Sequence, residues 1–330
     1  MIRLIPFLFA FFAVGCHESK WGEEEHVVAK RYIHKYGYDV SKEEWERATY
    51  PGQVITTMRN GVTITAHYEE GELHGPTTCT YPHSHTTEST QIYERGRLVK
   101  KTMYNSRGIA YKEEAFFSPC HVKITQWYAS GTPLSVEEYQ DNELLEGEYY
   151  NKKNEVLHRV VKGKGQRITR DQHEKVAAKE TIEKGYPVLR ETFYPHGVPH
   201  TIVPLLSGNV HGEKKVFAPS GEPISIETYY HNLLNGPAVY FQNGYRYLEI
   251  TYQRGIKHGM ERHFIDGETI VEETQWHEGQ KHGTSTVYFD GMSKVHYYYN
   301  NTPVTKERYH ELVEQEENIA IMNARAKKVN

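Results

Sequence analysis

Cysteine is scarce in this chain: three residues in 330, at Cys16, Cys79 and Cys120. With Cys16 close to the start, at most one internal bridge remains, between Cys79 and Cys120, and two separate thiols fit the spacing equally well. Long apolar runs are also missing. The one continuous stretch, Leu4 to Val14 and broken only by Pro6, is about a dozen residues, short of the roughly 20 a spanning helix needs. No charge of one sign dominates: the formal net charge is -4, so there is no broad basic field to hold nucleic acid. Catalytic signatures are absent too. Gly163-Lys164-Gly165 lacks the rest of a phosphate loop, and Ser118, Ser130, Ser207 and Ser220 stand in turn-like sequence without a nucleophile elbow. A mean hydropathy of -0.72 is polar for a compact globule of this length. Yet aromatic residues make up 12%, with 26 Tyr, which is too ordered a composition for a disordered chain.

What is present is a period. Gly212, Gly236, Gly259 and Gly283 step by 23 or 24 residues, and Gly197, Gly221, Gly244, Gly267 and Gly291 run half a repeat out of phase. One aromatic column holds Tyr93, Phe116 and Tyr139 early and Tyr229, Tyr252, Trp276 and Tyr299 late. A second holds Tyr104, Tyr128 and Tyr150, then Tyr194, Phe217, Phe241, Phe264 and Tyr288. Between the turn glycines lie runs of five to seven residues rich in Thr, Tyr, Val, Ile and Glu, bounded by signals such as Asn60-Gly61, Gly71, Gly96 and Asn243-Gly244. Such runs are β-hairpins. A fixed period means like units that bury apolar surface only against their neighbours. The expected fold is therefore mainly β: an elongated, single-layer antiparallel sheet of about ten hairpins over residues 53–303, degenerate near 160–179.

The flanks read differently. Val28, Ala29, Tyr32, Ile33 and Tyr36 fall at i, i+4 spacing, which predicts a helix over 22–36. Ser41-Lys42-Glu43-Glu44 is a capping box, predicting a short helix through Trp45 to Ala48. Lys306 to Lys328 has no turn residues, places acids early and bases late, and predicts a C-terminal helix over 304–330 that covers the last strand.

Chemical candidates recur in phase with the repeat. His74, His211, His258 and His282 each precede a repeat glycine, a ladder that reads either as a metal or pH-sensitive stripe or as the turn's ordinary residue. Glu137-Glu138 and Glu272-Glu273 read as acid–base pairs or as solvated strand charge. No catalytic residue, metal ligand or cofactor is assigned. Tyr229, Tyr252, Trp276 and Tyr299 are the candidate interaction aromatics, because one sheet layer cannot bury both of its faces.

Two resemblances add to this reading. Arg3, the apolar run and Ala13-Val14-Gly15-Cys16 resemble a bacterial lipoprotein signal, with Ala13 where leucine is usual. That resemblance implies removal of residues 1–15, acylation of Cys16, a linker and helices over 16–52, and a membrane anchor in the cell envelope; His17 after Cys16 points to an outer membrane if the cell has one. A plain signal peptide with an incidental cysteine is the alternative. Tyr68 to Gly75, with Gly71 and Gly75 at the turn, Tyr252 to Phe264, and Trp276 to Gly283 followed by Tyr288 resemble the variant MORN repeat of bacterial proteins, over about residues 67–303. The resemblance implies hairpins laid side by side and an interaction role. Many members of that family carry an antitoxin label, which an exported lipid anchor does not suit. The expected function is a lipid-anchored, nonenzymatic scaffold with an unidentified protein partner. The alternatives are a carbohydrate or cell-wall binding module using exposed aromatics, or an immunity-like partner of a toxin.

Overall fold

The computed structural model describes residues 26–171 and 173–326; the leader, Cys16 and the last four residues lie outside them. The chain divides into two compact units, the first ending at Gly163 and the second starting at Lys164. The division falls inside the segment Gly163-Lys164-Gly165, where the sequence period breaks.

Each unit is an antiparallel meander in which sequence neighbours pair. In the first, strands run from Val27–His34 to Val156–Val161, and in the second from Lys164–Arg170 to Thr302–Val304. Two turn series alternate. At one sheet edge both central residues have positive φ, as at Glu70-Gly71 (51° and 83°), Arg95-Gly96 (48° and 73°) and Arg254-Gly255 (50° and 84°). That is the type I′ geometry whose twist matches the flanking strands. At the opposite edge most turns follow a second rule. The Tyr128 N–H donates to the Thr132 carbonyl and the Gly131 N–H to the Tyr128 carbonyl, both at 2.9 Å. Asn105, Asn151, Asp171, Tyr194 and Ala218 repeat the pattern. This is a type I turn followed by a left-handed residue, and Gly, Asn or Glu fills that position.

The buried strip is narrow and mixed in composition. In the second unit Ala238, Ile250, Glu261, Thr274 and Ser285 are directly opposite one another across five successive strands. Ala238 is fully buried, and Thr274 and Ser285, also buried, join their hydroxyls at 2.9 Å. A few aliphatic residues are buried in each unit, among them Leu144, Ile182 and Ile250, but small and polar residues share the strip with them. Buried Ser and Thr beneath long neighbouring side chains close the strip alongside them.

The predicted capping box is present. Helix α1, Lys42–Ala48, begins with the Ser41 hydroxyl accepting the Glu44 N–H at 3.2 Å. Its buried Trp45 packs on Tyr32 and Tyr68, with ring centroids at 5.7 and 6.0 Å. Of the helix expected over 22–36, residues 22–25 lie outside the described residues, and over the rest it is not formed: Val27–His34 is a strand paired along its length with Gly52–Met58. Apart from Ala29 the i, i+4 row consists of Val, Ile and Tyr, which are strand formers, and the neighbouring strand offers a hydrogen-bond ladder that a short isolated helix lacks. The sheet thus starts well before residue 53.

Helix α2, Lys306–Ala326, is capped by the Thr305 hydroxyl on the Arg308 N–H at 3.2 Å. Tyr309, Leu312 and Val313 are half-buried, with the Tyr309 ring 5.7 Å from both Tyr297 and His282. From Glu314 to Asn323 every residue is exposed.

Candidate interaction surface

The repeat glycines have a definite partner. Gly75 lies opposite Tyr93, Gly212 opposite Tyr229, Gly236 opposite Tyr252, Gly259 opposite Trp276 and Gly283 opposite Tyr298. Each of these glycines has positive φ, from 86° to 120°, at an irregularity that only glycine enters cheaply. Gly71 sits instead in the adjacent turn. The column predicted to end at Tyr299 therefore ends at Tyr298, because the last repeat is one residue shorter. Tyr299 points to the other face, where its ring meets His282 at 5.1 Å and its hydroxyl bonds Glu316 of α2.

The same rule runs through the degenerate segment. Gly147 is opposite Val160 and Gly165 opposite Ile182, both aliphatic residues 1% exposed. The aromatic is replaced and the pairing kept, which is why the period is lost from the sequence there but not from the strand order within each unit.

The first aromatic column is largely occupied by its own neighbours. Lys257 lies 4.5 Å from the Trp276 ring centre, Lys281 5.4 Å from that of Tyr298, and Lys214 5.6 Å from that of Tyr229. Lys257 and Lys281 stand two residues before a repeat glycine and Lys214 two residues after one, and their cation–π contacts cover these three rings. Tyr229 donates to Glu227 at 2.9 Å and Tyr139 to Glu137 at 2.9 Å. None of Tyr229, Tyr252, Trp276 and Tyr299 is fully exposed. The second column links repeats: the hydroxyls of Tyr81, Tyr128 and Tyr194 donate to the carbonyls of Tyr104, Tyr150 and Phe217, 22 or 23 residues on.

The residue before the glycine serves the next turn. The Arg95 N–H donates to His74 Nδ1 at 3.4 Å, the Lys162 N–H to Glu146 at 3.0 Å, and the Arg254 N–H to Asn235 at 3.1 Å. His74 therefore keeps its proton on Nε2, which faces Glu69 at 3.5 Å. The second turn residue donates to a carbonyl two positions before the glycine, as Gly96 to Leu73, Gly255 to Leu234 and Gly279 to Lys257. His258, His277 and His282 do form a row, with centroid steps of 5.0 and 5.8 Å. Among the described residues no group of three or more His, Cys, Asp or Glu is placed to hold a metal ion.

The glutamate pairs separate across the sheet, as alternation on a strand requires. Glu137 is buried and accepts from Tyr139 and Tyr149, while Glu138 meets His121 at 2.6 Å. Arg262 bridges Glu273 at 3.0 Å and Glu249 at 3.6 Å. Cys79 is buried, Cys120 exposed, and no disulfide joins them.

Sequence spacing gave no sign of a cleft of about 420 Å³ in the first unit. Three segments distant in sequence converge there, bringing His34, Gln53, His67, Tyr68, Glu69 and His74 to its walls. His34 Nδ1 accepts the Tyr36 N–H at 3.3 Å, and its ring stacks on Tyr38 at 4.6 Å. His67 Nδ1 bonds the Pro76 carbonyl at 2.6 Å, so its neutral ring keeps an acceptor at Nε2. Burial, then the nearby Tyr32, pushes the Tyr68 hydroxyl above its ordinary pKa.

Around Glu227 three tyrosines gather. Burial first, and then the hydrogen bond to Glu227, pushes Tyr229 up to about 12 from an ordinary 10.0. Burial, with Tyr252 and Glu227 beside it, raises Tyr240 as well. A hydroxyl whose pKa is higher folded than unfolded stabilises the fold fully below pH 10.0 and loses that contribution as pH rises towards about 12. Tyrosinate absorbance should therefore show a late-titrating fraction that shrinks, without vanishing, in Tyr229→Phe because Tyr240 and other raised tyrosines remain, with hairpin loss in the second unit setting in above pH 10.0. A single unshifted titration would contradict the geometry.

Exposed apolar residues occur in both units, Tyr36 at 77% and Phe117 at 55% in the first, and several stand together in the second. Tyr245 is 64% exposed, Phe289 70% and Met292 67%, and Tyr247, Ile265, Val287 and Val295 are exposed with them. All belong to the last hairpins of the second unit, at or near the edge opposite the type I′ series. No helix among the described residues is long and apolar enough to cross a membrane.

No protein family matches the chain, and no curated protein matches it. Among solved structures, a crystal structure of a mutant of S. aureus TarM, in complex with fondaparinux, alpha-GlcNAc-glycerol and UDP, aligns over 38% of this chain at 13% identity with a TM-score of 0.20. The alignment spans 21% of that chain, and the score is too low for a shared architecture.

Proposed function

We propose that the protein is an exported, lipid-anchored, nonenzymatic repeat protein of the MORN-like type, whose sheet presents a docking surface for another protein. The observation that carries this reading is the division of labour among the side chains. Repeat residues such as His74, Glu137 and Lys257 are engaged by neighbouring side chains or turn backbones, whereas several strongly exposed apolar residues stand together at the end of the last hairpins. Exposed apolar patches of this kind mark interaction sites. The lysines over Tyr229, Trp276 and Tyr298 occupy faces that a sugar would need, which favours a protein partner.

Anchoring rests on the lipobox-like Ala13-Val14-Gly15-Cys16. Several acyl chains, each contributing about 0.8 kcal/mol per buried methylene, hold a protein stably on a membrane. Metabolic labelling with a fatty acid should mark the wild-type protein and not Cys16→Ser. A Cys16→Ser protein that keeps its label removes the anchor from this reading. Crosslinking on intact cells followed by membrane purification tests the partner: a discrete crosslinked band is expected, and its absence under several crosslinking chemistries counts against an interaction role.

A further inference from the structure

Strand Met292–Tyr299 pairs over its whole length with Gln280–Phe289, through Phe289 opposite Met292, Val287 opposite Lys294, Ser285 opposite His296 and Gly283 opposite Tyr298. On its other side the last strand, Thr302–Val304, pairs only with Tyr297, Tyr298 and Tyr299. Among the described residues no strand pairs with Met292–His296 on that side. In an antiparallel ladder alternate residues direct their peptide groups to alternate sides. The two-residue turn Asp290-Gly291 makes Phe289 and Met292 a hydrogen-bonded pair, so Met292, Lys294, His296 and Tyr298 bond inward. Ser293 and Val295 therefore aim N–H and C=O outward, in line with Tyr297 and Tyr299, whose outward groups the last strand takes. Every residue from Met292 to His296 is exposed. Helix α2 reaches only the covered end, through Tyr309 at Tyr297 and Glu316 at Tyr299.

We infer that this edge is the docking site, and that its occupant is an extended segment of a partner protein, added as a further antiparallel strand and alternating acidic with apolar residues. The inference rests on the interaction reading above. Main-chain pairing supplies the affinity in such strand addition, and the alternating side chains supply the choice. On one face Lys294 and His296 select acids, with Phe289, Val287 and Met292 beside them. On the other Val295 selects a β-branched or aromatic residue. A second copy of this chain fits less well: antiparallel self-pairing over all five residues sets Lys294 against Lys294, a like-charge pair that opposes dimers.

The probe is a short acetylated peptide alternating glutamate and valine, titrated into the full chain by fluorescence anisotropy. Saturable binding is expected, falling with added salt. Val295→Pro removes one outward N–H at an edge position that tolerates proline, and should weaken binding at least about tenfold. Lys294→Glu should also weaken it. With the wild-type protein, N-methylating alternate peptide amides in one register should abolish binding, while the other register leaves it intact; this arm does not depend on any variant folding. No saturable binding, or binding indifferent to Val295→Pro and to both N-methyl registers, overturns the inference. So does concentration-dependent dimerisation that Val295→Pro abolishes, which assigns the edge to a second copy. If the cellular crosslink persists in Val295→Pro, the edge is wrong and the interaction role stands; if no crosslink forms in the wild type, the role itself fails.

Discussion

Replacing Gly52 with alanine should release the first strand of the sheet. A Cβ at Gly52 would lie 2.1 Å from the Ile33 carbonyl oxygen and 3.1 Å from the backbone of His34. These are backbone atoms, so no side chain can swing aside. Gly52 is also the residue paired with His34, where Val27–His34 first meets its neighbour. The clash must separate the strands there, at a cost of about 3 kcal/mol, the upper end for overpacking. Hydrogen exchange should show protection lost over Val27–His34 and over α1, whose Trp45 packs on Tyr32, while hairpins of the second unit stay protected, since neighbour contacts dominate repeat stability. The cleft walled by His34 and Gln53 would open with it. Unchanged protection over Val27–His34 would show that the pairing relaxes around the methyl group.

The second large effect is expected at Glu180. Its carboxylate is 5% exposed and lies between Arg167 at 3.1 Å and Arg190 at 2.6 Å. The three residues are in register on adjacent strands, Arg167 opposite Glu180 and Glu180 opposite Arg190. Glu180→Ala leaves two guanidinium groups facing each other across the gap. Breaking a buried pair costs about 3–5 kcal/mol; both arginines are more than a quarter exposed, so about 2 kcal/mol is the expected loss. Urea denaturation followed by exchange at Ile182 and Leu189 measures it. The loss should shrink when Arg167 and Arg190 are replaced with leucine and methionine in the same chain, because the stranded charges go with them. A Glu180→Ala protein as stable as wild type would mean that water reaches and neutralises the cluster.

How much of this was legible beforehand follows from the range of each interaction. The type I′ turns were readable because positive φ at two successive positions restricts the residue, and Gly or Asn marks it at Gly71, Gly96 and Asn243-Gly244. The capping box at Ser41 was readable because it spans four residues. Strand Val27–His34 was not: its ladder is made with Gly52–Met58, and nothing within eight residues distinguishes a Val-Tyr-Ile row on a helix from the same row on a strand. Tyr299 was placed one residue off for a related reason. Counting by 23 assumes equal repeats, while the pairing of Gly283 with Tyr298 shows where the last one shortened. The lysine two residues before Gly259 and Gly283 is plain in Lys257-His258-Gly259 and Lys281-His282-Gly283, but its place over a ring needed the neighbouring strand.

By itself the sequence determined that the protein is a run of hairpins, because periodicity and turn chemistry are local and repeat often enough to outweigh any single exception. It also determined that most His, Glu and Tyr belong to the repeat, since residues in phase share one environment. Only the tertiary structure decided which surfaces remain once neighbours are satisfied. Lysines close over Tyr229, Trp276 and Tyr298, His74 and Asn235 close turns, and a last strand of three residues leaves Ser293 and Val295 facing outward. Exposure is what pairing leaves over, and pairing is settled between strands that lie far apart along the chain.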